Sequence, residues 1–128
     1  MRLTFCASTN SQTKDSYRQR AEGTFKAFQK ILERSPAALS EMALAVDFHL
    51  DTPKEIVIVT SSSRGAAEPL LAGFRSTFLP NRILSVISEG EDQRLQAKVI
   101  PLVAAKVAIG GKPTAYVCER RVCEVPTT

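Results

Sequence analysis

The sequence is short of the residues that most often carry catalytic chemistry. Its 128 residues include no tryptophan, three cysteines and one histidine, His49. His49 has no cysteine or second histidine at ligand spacing, which argues against a zinc site, and no serine is placed to use it as a base. We therefore predict no catalytic residue, no metal site and no cofactor for this chain, and we interpret His49 as a residue near a helix end.

Long apolar runs and runs of one charge are also missing. No stretch approaches the ~18 apolar residues of a membrane span, and the apolar start at Leu3–Ala7 ends too early for a signal peptide. The net charge is +4 and aromatics are 6% of the residues, without runs of like charge, so we expect neither a nucleic acid nor a membrane as partner. The odd number of cysteines and the ordinary composition favour a reducing, cytoplasmic compartment.

The most continuous β-branched run is EIVIVT, Glu55–Thr60. An unalternated apolar run of this kind is typical of a strand that is buried on both faces. A helix is predicted near Glu68–Thr77, with Leu70, Leu71, Phe74 and Phe78 on its inner face, and a second strand is predicted at Arg82–Ile87. This order predicts a βαβ unit with parallel strands.

The remaining segments complete an α/β fold. Residues 1–13 are predicted to be irregular, and residues 14–52 to form an antiparallel helical hairpin that turns at Ser35-Pro36. Residues 53–128 are predicted to form a small α/β module. In it, Thr114–Cys118 and Val122–Val125 form a β-hairpin at the edge of a small mixed sheet.

Three groups of residues are candidates for a site. The segment Ser61, Ser62, Ser63, Arg64 and Gly65 follows the first strand, where such loops bind anions, although an ordinary capping loop is the alternative. Glu89, Glu91 and Asp92 lie in one loop, as a solvated cluster or a cation site.

Cys118 and Cys123 are the third candidate. If Arg120-Arg121 is a two-residue turn, Cys118 opposes Cys123 with Cα atoms ~4.5 Å apart, at the short end of disulfide reach. A redox pair and two semi-buried structural cysteines are the alternatives.

Four segments carry a resemblance to a known family: Tyr17–Leu50, Pro53–Val59, Phe78–Leu84 and Gly111–Pro126 (GKPTAYVCERRVCEVP). Together they resemble the C-terminal portion of the thioredoxin-domain-containing proteins related to spermatogenesis-associated protein 20. The resemblance implies a longer architecture, with an N-terminal thioredoxin-like domain and a middle toroid similar to six-hairpin glycosidases. The redox motif of the thioredoxin-like domain has no counterpart here, and residues 14–52 would correspond to the last helical hairpin of the toroid.

The sequence and the resemblance favour a non-catalytic structural or interaction module. Its expected partner is the helical toroid of the same family, with a homo-oligomer through the helical face as a further possibility. We expect an exposed apolar patch on the hairpin that includes Phe25, Phe28, Leu44 and Phe48. The alternatives are a small-molecule or anion-binding domain at residues 61–65 and a thiol redox function at Cys118 and Cys123.

Overall fold

The computed structural model describes residues 11–120 and 122–128, which fall into two compact units with their boundary in the sequence between Thr52 and Pro53. The N-terminal unit holds two helices and the C-terminal unit holds a four-stranded sheet with two helices. The predicted α/β class, the helical hairpin and the mixed sheet are all confirmed.

The N-terminal unit is a pair of helices joined by a 3-10 turn. Helix α1 spans Ser11–Arg34 and α2 spans Ser40–Leu50, with the 3-10 turn at Pro36–Leu39 between them. Pro36 has no N–H to leave unpaired, which suits the first position of this turn. Helix α1 begins at Ser11, within the stretch 1–13 that was predicted to be irregular; residues 1–10 of that stretch lie outside the described residues.

The sheet of the C-terminal unit has the order β2-β1-β3-β4. Its strands are β1 Lys54–Thr60, β2 Arg82–Ser88, β3 Thr114–Glu119 and β4 Val122–Cys123, and its helices are α3 Glu68–Ser76 and α4 Glu91–Ala97. Strands β1 and β2 are parallel, as the βαβ order predicted, whereas β3 runs antiparallel to β1 and β4 antiparallel to β3. Past β4, Thr127 forms an isolated bridge with Ala115 of β3.

Strand β1 is the centre of the core, because helices or 3-10 turns cover both of its faces. Ile56 and Ile58 pack with Ala67 and side chains of α3, while Val57 and Val59 pack with Ile87, Val103, Tyr116 and Cys118. Residues Ile56–Thr60 are each at most 1% exposed. Burying each of the apolar side chains stabilises the fold by about 1.5–3 kcal/mol.

One residue predicted for the inner face of α3 lies outside the core. Phe78 lies after the end of α3 and is 89% exposed, whereas Leu70, Leu71 and Phe74 pack against the core as predicted. The helix ends at Ser76 and the chain becomes extended at Thr77, so the helical spacing that placed Phe78 inward no longer applies. Leu79 takes the place beside the core instead.

Candidate functional site

The loop after β1 is tied to its neighbours by polar contacts. The Ser61 hydroxyl donates to the Gly111 carbonyl at 2.8 Å. Arg64 donates two hydrogen bonds to Asp92, from Nε at 3.1 Å and from Nη2 at 2.5 Å. Asp92 also accepts the Ser88 backbone N–H at 2.8 Å.

These contacts shift the ionisation of the pair in opposite directions. The hydrogen bonds from Arg64, and then that from Ser88, hold the pKa of Asp92 below its ordinary value of 3.8. The hydrogen bond to Asp92 raises the pKa of Arg64. The cation that an anion would use therefore already has a carboxylate partner.

The predicted acidic cluster is dispersed among structural contacts. Asp92 binds Arg64, and Glu89 accepts the Ala108 backbone N–H at 2.7 Å. Each of these two carboxylates therefore joins two segments that are far apart in the sequence. In the part of the chain that the structure describes, no group of acidic, histidine or cysteine side chains is arranged to hold a metal ion.

His49 lies within the helical pair. Its Nε2 is 3.4 Å from Glu22 Oε1, and its ring meets that of Phe25 edge-on, with centroids 5.5 Å apart. Glu22 also accepts a hydrogen bond from Arg18, and this bond, followed by the charges of Arg18 and His49, lowers the pKa of Glu22. His49 thus helps to join α2 to α1.

Cys118 and Cys123 lie directly opposite each other on β3 and β4, and Glu119 opposes Val122, in the register that the sequence predicts for a two-residue turn. The two sulfurs form a disulfide, and the Cα atoms are 3.9 Å apart. Cys118 is 1% exposed, whereas Cys123 is half-buried at the edge of the sheet. The pair therefore has an inner sulfur and an outer sulfur.

A lysine that sequence reasoning missed contacts the outer sulfur. Lys106 Nζ lies 2.9 Å from Cys123 Sγ and 4.8 Å from the centre of the Tyr116 ring. The Lys106 carbonyl accepts a hydrogen bond from Gln93 Nε2 at 2.7 Å, and the Tyr116 hydroxyl donates to the Val107 carbonyl at 2.7 Å. The backbone on both sides of the lysine side chain is thus fixed.

A glutamate that was also missed lies opposite the inner cysteine in the sheet. Glu55 of β1 is the register partner of Cys118, and directly opposed residues project to the same face of a sheet. Glu55 Oε2 is buried, and no hydrogen-bond donor of the described residues reaches it. Glu55, Cys118 and Cys123 therefore form a row across β1, β3 and β4, called here the thiol row.

By its architecture the chain is a helical hairpin followed by a small α/β unit with a cystine at the sheet edge. Within residues 11–120 and 122–128, no helix is long and apolar enough to cross a membrane. No family model matches the chain, and no solved structure matches it.

Two curated proteins are similar to the chain in sequence. Human spermatogenesis-associated protein 20 is 30% identical over 102 residues, and the match covers 80% of this chain but 13% of the relative. The rat protein of the same name is 28% identical over 102 residues, with the same coverage. The resemblance drawn from the four segments is thereby confirmed, and the chain corresponds to a short segment of much longer relatives.

Proposed function

We propose that this chain is a non-catalytic interaction module whose helical hairpin packs against the helical toroid of the same family. The observation that supports this most is the burial of the hairpin. From Asp15 to Thr52, no residue is fully buried. A pair of helices that buries no side chain completely lacks the tertiary packing from which helices in proteins gain most of their stability.

The exposed apolar residues of α1 are arranged in a stripe, and α2 adds exposed apolar residues of its own. Tyr17, Phe28 and Ile31 of α1 are 51%, 39% and 48% exposed, and their spacings of 11 and 3 residues place them on one side of the helix. Leu44 and Leu50 of α2 are 62% and 79% exposed. Phe28 and Leu44 were predicted to be exposed, whereas Phe25 and Phe48, also assigned to that patch, are half-buried.

The occupant that we infer is helical and belongs to the same family. The curated relatives match this chain over 13% of their length, so most of each relative lies outside the matched segment and is available to cover the hairpin. A helical partner would place side chains between Tyr17, Phe28 and Ile31, in the usual packing of ridges into grooves. Self-association through the same stripe is the competing outcome.

Paired variants test this proposal. Ile31→Ser with Leu44→Ser removes two apolar contacts, and we expect it to weaken binding to the remainder of the human relative by at least about tenfold, since burial of each side chain is worth about 1.5–3 kcal/mol. Lys30→Ser with Glu41→Ser, exposed neighbours on the same two helices, is the control. Calorimetric titration measures both affinities. Equal affinities for the two double variants would contradict docking through the exposed apolar side chains of the hairpin.

A second candidate function is thiol–disulfide exchange at Cys118 and Cys123. It is favoured by the cross-strand register of the two cysteines and by their disulfide. Equilibration in glutathione buffers of graded ratio, followed by counting of alkylated thiols, tests it. A midpoint within the range of cellular glutathione potentials, about −180 to −320 mV, would support exchange; a pair that stays fully oxidised or fully reduced across that range would contradict it.

The anion site at residues 61–65 stays a prediction with less support. Arg64 is the only cation of that segment, and it is engaged by Asp92 through two hydrogen bonds. An anion would have to compete with a carboxylate that is already in place.

A further inference from the structure

We propose that Cys123 is the nucleophilic thiol of a dithiol exchange site, that Lys106 stabilises its thiolate, and that Glu55 accepts the proton of Cys118 when the disulfide forms. The substrate class is a low-molecular-weight disulfide of the glutathione type. This inference rests on the exchange proposed as the second candidate function, and it assigns a chemical role to each member of the thiol row and to Lys106.

The role of Cys123 follows from access and charge. It is the half-buried sulfur of the pair, whereas Cys118 is 1% exposed, so an incoming disulfide meets Cys123 first. The Lys106 ammonium lies 2.9 Å from Cys123 Sγ, and a neighbouring cation favours the thiolate, which is the attacking form of cysteine.

Lys106 is held in place by contacts that do not involve the cysteines. Gln93 Nε2 donates to the carbonyls of Val103 and Lys106 at 2.8 and 2.7 Å, and the Tyr116 ring lies below the ammonium at 4.8 Å. The cation therefore stays beside Cys123 whether the sulfurs are joined or separate. Its position is built by α4, β3 and the segment that connects them.

The role of Glu55 follows from the burial of its neighbour. Cys118 must lose a proton before its sulfur can attack, and a thiolate is costly at a buried position without a charge partner. Glu55 is opposite Cys118 in the register of β1 and β3, and its buried Oε2 has no donor among the described residues. A carboxylate oxygen with an unused lone pair on the same face of the sheet as a buried thiol is suited to accept that proton.

The reaction balances as two exchanges. The Cys123 thiolate attacks one sulfur of the disulfide RSSR, a Cys123–SR bond forms, and the S–S bond of RSSR breaks with its electron pair on the departing RS⁻, which takes a proton from water. Cys118 then gives its proton to Glu55 and attacks Cys123 Sγ, which forms the protein disulfide and releases the second RS⁻. Glu55 then releases its proton to water and the second RS⁻ takes a proton from water, so the protein dithiol is oxidised and RSSR is reduced to two RSH.

Alkylation of the reduced chain tests the roles of Cys123 and Lys106. Trypsin cleaves at Arg120 and Arg121, so the two cysteines fall on different peptides and their rates are read separately by mass spectrometry. We expect iodoacetamide to modify Cys123 at least about tenfold faster than Cys118 at neutral pH. Lys106→Met should slow the alkylation of Cys123 by about tenfold, and Lys106→Arg should restore the alkylation rate. Lys112→Met, which changes an exposed lysine, is the control.

Oxidation by oxidised glutathione tests the role of Glu55. In the parent chain the mixed disulfide is short-lived, because Cys118 resolves it. In Glu55→Gln we expect the mixed disulfide on Cys123 to accumulate and its resolution to slow by about a hundredfold, at the lower end of what general-base catalysis contributes. Glu124→Gln, an exposed carboxylate one residue beyond Cys123, should resolve at the parental rate. Intact-mass spectra of quenched samples follow both steps.

The outcomes separate this inference from the exchange on which it rests. If glutathione neither opens nor forms the disulfide, both fail. If exchange proceeds but Cys118 is the faster thiol, or if Lys106→Met and Lys106→Arg react at the same rate, the assignment of Cys123 and Lys106 fails while exchange stands. If Glu55→Gln resolves like Glu124→Gln, the role of Glu55 is overturned. Circular dichroism of each variant confirms that the compared chains are folded.

Discussion

At the level of single residues, Asp92 is the side chain whose loss we expect to be felt most outside the core. It accepts two hydrogen bonds from Arg64 and one from the Ser88 backbone, and its side chain is 29% exposed. We predict that Asp92→Asn lowers the free energy of unfolding at neutral pH by about 1 kcal/mol, a value reduced by the exposure of Arg64 to solvent. Urea denaturation measures the difference.

The pairing of Arg64 with Asp92 also predicts that the free energy of unfolding depends on pH. The pKa of Asp92 is lower in the folded chain than its ordinary value of 3.8. The contribution of its carboxylate to the free energy of unfolding is therefore fully present above that ordinary value. The contribution is lost as the pH falls from about 3.8 through the lower folded pKa. The stability difference between parent and Asp92→Asn should therefore shrink below about pH 4. Glu91→Gln, an exposed change in the same helix, should show no such convergence.

Sequence reasoning reached some of these residues and not others. The opposition of Cys118 and Cys123 could be predicted, because a two-residue turn fixes the register of the strands that it joins. Lys106 and Glu55 could not, since one is brought to the cystine by an irregular segment and the other by the pairing of strands far apart in sequence. The partner of Arg64 was missed for the same reason, because α4 rather than the loop itself places Asp92.

Among the elements, strand β1 sets the stability of the C-terminal unit. Ile58 is fully buried in β1 and Ile83 is 49% exposed in the neighbouring β2. We predict that Ile58→Ala lowers the free energy of unfolding by about 3 kcal/mol, from lost burial and the cavity left behind. The matched change Ile83→Ala should cost less than about 1 kcal/mol. Similar losses for both variants would contradict the central place of β1 in the core.

Element types were more predictable than element ends. The unalternated apolar run predicted the buried strand β1, and the strand–helix–strand order predicted that β1 and β2 are parallel. The buried strand and the parallel pair are both present. The ends of the helices and strands depend on tertiary contacts, which the hydrophobic periodicity of the sequence does not reveal. Helix α3 stops before Phe78, which leaves that ring exposed. Strand β4 is only Val122–Cys123, although the Glu124 backbone N–H still donates to the Val117 carbonyl of β3 and Thr127 pairs with Ala115.

For the molecule as a whole, the two units differ in how much they bury. The buried core residues of the described chain all lie between Ile56 and Cys118, and the hairpin from Asp15 to Thr52 has none. We predict that residues 53–128 expressed alone keep the sheet, whereas a peptide of residues 1–52 loses most of its helix in water. Far-ultraviolet circular dichroism of both pieces measures this. A stably helical peptide would show that the hairpin is stable without a packing partner.

The proposed function is docking of the hairpin onto the helical toroid of the family. Measuring the molar mass of the complex in solution tests it most directly. The intact chain is mixed with the human relative from which the matched segment has been removed, and the mixture is followed by size-exclusion chromatography with light scattering. We predict a single species with the mass of one copy of each, and a monomeric chain when it is run alone. A folded chain that stays monomeric in the mixture, or that pairs only with itself, would contradict the proposal.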